Sequence, residues 1–152
     1  IDISIIGDSA DPLVVLKKFL SEGFCFVHAL TYRGVIKEFT VSLNKLTVDF
    51  FFSKRIGDAG RTHHIFYFDP NVNYKKPEEN SVKERVLPYV KDIKRVCFKE
   101  IEIMVPDDCE NYLAFLYGKS WKIPDPTFVT GTQSTYEMLP DYGVRVTNVN
   151  EL

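Results

Sequence analysis

The run Leu46-Thr47-Val48-Asp49-Phe50-Phe51-Phe52 most restricts what this chain can fold into: it is apolar enough for a core strand yet carries a carboxylate at its centre. A strand alternates its side chains, so Val48, Phe50 and Phe52 face one side and Thr47, Asp49 and Phe51 the other. A carboxylate stripped of water is costly unless something neutralises it, so the Asp49 face must be partly open or must hold a cation. The first residues repeat the device, with Ile1, Ile3 and Ile5 on one face of a short strand and Asp2 and Ser4 on the other. Two such strands in one sheet aim Asp2 and Asp49 at a single point. Mg²⁺ or Mn²⁺ suits that pair as metal ligands when a phosphate supplies the remaining oxygens. A frayed Asp2 and a solvent-facing Asp49 would give the same pattern, so the pairing of the strands decides.

A length of 152 residues suits one domain with one core, and the expectation is a single unit over 1–152. Hydrophobic residues at 45%, including 12 Phe and 8 Tyr, indicate a packed body rather than a disordered chain. Nineteen basic against 21 acidic residues leave a formal charge of -2, with no bulk basic field for a nucleic-acid partner. Cys25, Cys97 and Cys109 are widely spaced and odd in number, so they form no zinc pattern and at most one disulfide. No apolar run reaches membrane-spanning length. A chain that opens on Ile1-Asp2-Ile3 looks cut from something longer, and any membrane anchor is expected outside it.

In chain order, residues 7–10 read as a turn, and Asp11-Pro12 as the capped start of a helix carrying Leu13, Leu16, Phe19 and Leu20 on one face. Residues 24–30 and 35–43 read as strands, with turns at 31–34 and 44–45, so strands two to four form an antiparallel meander. His28 reads as a sheet residue rather than a ligand. The resulting β-α-β-β-β order is a mixed sheet with a helix on one face. Residues 53–61 read as a polar loop whose Lys54, Arg55 and Arg61 are either a cationic rim suited to a phosphorylated substrate or the side chains of an ordinary solvated loop. His63 and His64, adjacent in a strand, point to opposite faces. Residues 70–81 read as a loop excursion and 82–90 as ambiguous. Strand periodicity returns at 101–105, and Asp107-Asp108-Cys109-Glu110 reads as a capping box opening a helix whose Tyr112, Leu113 and Leu116 are buried against the sheet. Residues 126–152 read as a loosely packed tail.

Two segments together resemble a known family. Residues 101–124, Ile-Glu-Ile-Met-Val-Pro-Asp-Asp-Cys-Glu-Asn-Tyr-Leu-Ala-Phe-Leu-Tyr-Gly-Lys-Ser-Trp-Lys-Ile-Pro, are similar to the C-terminal signature of the LicD/fukutin family, and residues 46–52 to the acidic strand that follows that family's Asp-x-Asp strand. The likeness is sharp over about a quarter of the chain and coarse elsewhere. It implies an α+β fold, a nucleotidyltransferase-like mixed β-sheet with packed helices. It also implies metal-dependent transfer of a phosphorylated alcohol, such as ribitol phosphate or phosphocholine, from a CDP-linked donor to the hydroxyl of a glycan or glycoprotein acceptor. By the same likeness Asp2 matches the second acid of the Asp-x-Asp pair and Asp49 the third, both as catalytic metal ligands for Mg²⁺ or Mn²⁺. Trp121 and Lys122 would stand at the lip of the donor or acceptor site. The family's first acid would fall one place before Ile1, so the chain as given is expected to be poorly active or inactive. The resemblance places a eukaryotic member in the Golgi or secretory-pathway lumen and a bacterial one in the cytoplasm. Two other readings stay open: a non-catalytic glycan-handling or scaffolding module, and a true nucleotidyltransferase.

Overall fold

The computed structural model describes residues 1–6, 10–58, 60–133 and 135–152. The turn expected at residues 7–10 lies, apart from Ala10, outside them. Strand β1 (Asp2–Ile6) is followed by helix α1 (Pro12–Ser21) and the strands β2 (Cys25–Tyr32), β3 (Val35–Leu43) and β4 (Leu46–Ser53). The cap of α1 forms as its sequence dictates: the Asp11 carboxylate accepts the Leu13 N–H at 2.8 Å, and Pro12 sits where no amide donor is needed. Arg33 and Gly34, then Asn44 and Lys45, all hold positive φ, the left-handed pairing whose twist matches a two-residue hairpin. β2, β3 and β4 thus run as an antiparallel meander. Leu16 of α1 packs into Ala29, Ile36, Phe39, Val41, Val48 and Phe50, and the Phe19 ring lies 4.6 Å from that of Phe50. The Val48 and Phe50 face of β4 is therefore the helix-covered core, and the Asp49 face looks the other way.

The second half continues in strands. β5 (Arg55–Ile56), β6 (Gly60–Tyr67) and β7 (Glu79–Pro88) are followed by the separate hairpin β8 (Ile93–Phe98) and β9 (Ile101–Pro106), helix α2 (Cys109–Tyr117), β10 (Glu137–Met138) and β11 (Gly143–Val146). The main sheet runs β1-β4-β3-β2-β11-β7-β6-β5, with β10 on β7 and only the β1–β4 pair parallel. It curls until β4 and β6 meet, where the Thr62 N–H donates to Lys54 O at 2.8 Å and the Lys54 N–H to Thr62 Oγ1 at 3.0 Å. Strands hold 46% of the described residues and helices 15%. The α+β, nucleotidyltransferase-like expectation is thereby corrected: this is a mostly β protein with a nearly closed, barrel-like sheet and, among the described residues, two α-helices. The physical reason lies in β6 and β7, whose long alternating runs bend back onto β4 and leave helices only α1 and α2 to cover the sheet.

The C-terminal region departs from the expected loose tail, because β11 fills the gap between β2 and β7. Gly143 pairs with both Tyr32 and Asn80. A Cβ at Gly143 would run into the Phe66 ring and Val82, so this seam closes only around a glycine. Gly143→Ala is expected to lower stability by about 1–3 kcal/mol through overpacking, read as a lower urea midpoint at unchanged slope. An unchanged midpoint would mean that β11 is not clasped between β2 and β7.

Helix α2 also differs in detail. Asp108 is its N-cap residue but makes no side-chain cap bond; its carboxylate takes the Asn111 Nδ2 donor at 2.8 Å instead. Tyr112, Leu113 and Leu116 are half-buried rather than buried, since α2 spans an open cavity rather than lying flat on the sheet. No described helix is long and apolar enough to cross a membrane.

Candidate functional site

Asp2 and Asp49 are register partners across the parallel β1–β4 pair, so the two carboxylates that alternation placed on polar faces share one face of one sheet. On the far side of β4, Thr40 is the partner of Asp49 and donates its hydroxyl to Asp49 Oδ1 at 2.6 Å. That hydroxyl is itself 3.4 Å from His28 Nε2. Thr40 is buried and Asp49 half-buried, so this hydrogen bond fixes the Asp49 rotamer. Two residues before Thr40, Glu38 lies on the same face, opposite Phe51. Burial pushes its carboxyl up to about 7, and the charges of Asp49 and Asp2 push the same way. Three acids on three adjacent strands thus act electrostatically on one another. Burial lowers His28, with Arg145 adding to the shift and Asp49 opposing it.

The face continues into a cavity of about 270 Å³ roofed by Tyr112, Leu116 and Tyr117 of α2 and by Phe128 and Tyr136 of the C-terminal region. Asp2, Ser4 and Phe51 stand at one end, and Arg61, His63 and Arg85 from β6 and β7 line the other. Arg61 is only 3% exposed; it donates from Nη1 to Ser53 Oγ at 2.7 Å and from Nη2 to the Tyr112 hydroxyl. His63 faces Arg85 across the β6–β7 ladder, and burial, with Arg85 and Arg61 beside it, holds its ring down at about 4, hence neutral. His64 points the other way, with its Nε2 2.7 Å from a Glu84 carboxylate oxygen, and burial pushes its ring down to about 4 as well.

The expected cationic rim does not form as one group. Lys54 is exposed at the end of β4, and Arg55 is exposed, bonded to Asp58 at 2.8 Å and stacked 4.6 Å over Tyr89. Arg61 is in β6 and buried, because the strand begins at Gly60 and its alternation turns Arg61 inward. Trp121 lines a different cavity with Tyr117 and Phe128, and Lys122 is exposed, 2.9 Å from Glu110 and 5.3 Å over the Trp121 ring. Tyr117 and Phe128 separate Trp121 from the acid-bearing cavity by lining both. Cys25, Cys97 and Cys109 are free thiols.

Glu38 and Arg85 were not among the sequence candidates. The signal for Glu38 was the alternation of Glu38, Thr40 and Ser42 on the wet face of β3, and for Arg85 the alternation of Arg85 with Leu87. Among the described residues no group of three His, Cys, Asp or Glu side chains is placed to enclose a metal. The residues present do fit the open mode of Mg²⁺ binding, in which one or two carboxylates hold an ion whose other positions belong to water and substrate phosphate. Asp2 and Asp49 are the two that would hold it, and the Glu38 carboxyl beside them is raised first by burial and then by their charges. No protein-family profile, curated protein or solved structure matches this chain.

Proposed function

We propose that this chain bears the acidic face of a metal-dependent phosphotransferase, which moves a phosphorylated alcohol of the ribitol phosphate or phosphocholine type from a CDP-linked donor to a glycan hydroxyl. The observation that carries the reading is the register of Asp2 opposite Asp49. The donor class is supported by the resemblance of residues 46–52 and 101–124 to the LicD/fukutin family, and by a cavity lined by both Asp2 and the cationic Arg61 and Arg85. Asp49, hydrogen-bonded by Thr40, and Asp2 are the residues that would hold Mg²⁺ or Mn²⁺, and the ion would supply neutralisation of the donor diphosphate and of the charge left on CMP. Glu38, on the same face but outside the Thr40 hydrogen bond, would take the proton of the attacking hydroxyl, a role that its raised carboxyl supports.

Mn²⁺ titration followed by electron paramagnetic resonance, then calorimetric titration of CDP-ribitol and CDP-choline with Mn²⁺ or with EDTA, tests the reading. One tightened Mn²⁺ site and donor binding that depends on Mn²⁺ are expected. A chain that binds no Mn²⁺ and binds neither donor overturns it. The absence of a three-ligand cluster among the described residues favours a second reading, a non-catalytic glycan-handling module. Its signature is glycan binding unchanged by EDTA.

A further inference from the structure

The two buried arginines of the cavity remain without a charge partner. Arg61 and Arg85 are 3% and 7% exposed. A guanidinium does not escape burial by losing its proton, so it must find acceptors or counter-charge. Among the described residues no carboxylate lies within ion-pairing distance of either one. Arg61 spends Nη1 and Nη2 on two neutral hydroxyls, Ser53 and Tyr112, and its buried Nε is unpartnered. Arg85 has Nε and Nη1 buried and unpartnered, with its guanidinium carbon 4.3 Å from the centroid of the Tyr136 ring. That cation–π contact steadies the group and leaves Nε and Nη1 without an acceptor.

Register brings the two guanidiniums together. His63 faces Arg85 and Arg61 faces Leu87, so Arg61 and Arg85 are diagonal neighbours on one face of the β6–β7 ladder, and both line the same cavity. Like charges set side by side in a buried place repel unless an anion lies between them. At about 270 Å³ the cavity is smaller than the roughly 300–1,000 Å³ of pockets that engulf a whole drug-sized ligand. It suits one charged end group with the rest of its molecule outside. Arginine forks match tetrahedral oxyanions, giving paired charge-assisted hydrogen bonds.

We propose that Arg61 and Arg85 form an oxyanion subsite that takes the phosphoryl end of a phosphate monoester without any metal. This goes beyond the metal-dependent chemistry proposed above and holds even if the acids bind no cation. Tyr112, bonded to Arg61, ties helix α2 to the subsite, so an anion there also tightens the roof.

The test is run in EDTA at low chloride. Inorganic phosphate and ribitol 5-phosphate are titrated calorimetrically into the wild type, with ribitol as the uncharged arm, and the melting temperature is followed with phosphate. One anion per chain, raised melting temperature and no heat from ribitol are expected. Tighter binding of ribitol 5-phosphate than of phosphate marks the monoester as the ligand, and equal binding marks the phosphoryl group alone as the recognised part. Arg85→Met keeps an unbranched apolar stem and removes the guanidinium, and replacing a buried charge by an apolar side chain is expected to leave the protein folded, which a melting curve checks. This variant and Arg61→Met are expected to weaken anion binding by about tenfold or more, the usual weight of hydrogen bonds to charged groups. Arg95→Met, changing an exposed arginine of β8 outside the cavity, is expected to bind as the wild type. A wild type that binds no anion, a folded R85M protein that binds as tightly as the wild type, or equal loss in R95M overturns the subsite. With every divalent ion removed, such a failure leaves the metal reading standing, and a failed Mn²⁺ titration leaves the subsite standing.

Discussion

Asp49→Asn is expected to cut Mn²⁺ affinity by about 10–100-fold or more and to remove any Mn²⁺- or Mg²⁺-dependent release of CMP from CDP-ribitol. Losing even an outer-shell partner of a metal site commonly costs about that much, and a direct ligand costs at least as much. The amide keeps the size of the carboxylate but supplies neither the negative charge nor the anionic oxygens a hard cation requires. The strand itself should hold, since Val48 and Phe50 stay buried under α1 and the Thr40 hydroxyl at 2.6 Å can still donate to an Asn carbonyl oxygen. Stability without metal should rise a little, because one of the two charges that push Glu38 upward is gone. Metal titration, CMP release and a melting curve on the same preparation separate these effects. A folded D49N protein with wild-type Mn²⁺ affinity removes Asp49 from the site.

That test can be designed from the sequence because the decisive pair was legible there. Alternation in residues 1–5 and 46–52 needs only a period of two, and the parallel register then sets Asp2 opposite Asp49. The α1 cap and the two hairpin turns were legible for the same reason, being set by residues next to one another. What escaped was set by distant partners. Residues 53–61 read as a loop because Gly57 and Gly60 are usual loop residues, yet Gly60 opens β6 because a Cβ there would lie 2.7 Å from Val86 Cγ1. That shift carries Arg61 from an exposed rim to the cavity floor. Pro88 obscured β7 although it stands at the strand's last position, where the lost amide donor does little harm. The four residues of β11 are too few to show a period, and only their fit between β2 and β7 makes them a strand. The misjudged fold class follows from these same three elements, which close the sheet.

Glu38→Gln is expected to change the pH dependence of stability more than any other single substitution on the acidic face. The Glu38 carboxyl titrates at about 7 in the folded chain against 4.5 in the unfolded one, first through burial and then through Asp49 and Asp2. Between those values the folded state holds the proton more tightly than the unfolded state, so stability falls as pH rises from 4.5 to 7 and the loss is complete above 7. A shift of this size, discounted for the part of Glu38 that water still reaches, corresponds to about 2 kcal/mol. The glutamine variant should therefore exceed the wild type by about that amount at pH 8 without metal, and the gap should close towards pH 4.5. His63 and His64 act in the opposite sense: their folded values near 4 mean that stability is lost as pH falls below the usual histidine range. Those residues are unchanged in the variant, so the difference between the two urea curves at each pH isolates Glu38. Adding Mn²⁺ at pH 8 should raise the wild type further than the variant, because a cation beside the acids turns the Glu38 charge from a cost into a contribution. A pH-independent gap between the two proteins would mean that neither burial nor the charges of Asp49 and Asp2 raise the Glu38 carboxyl, and Glu38 would then no longer belong to the acidic site.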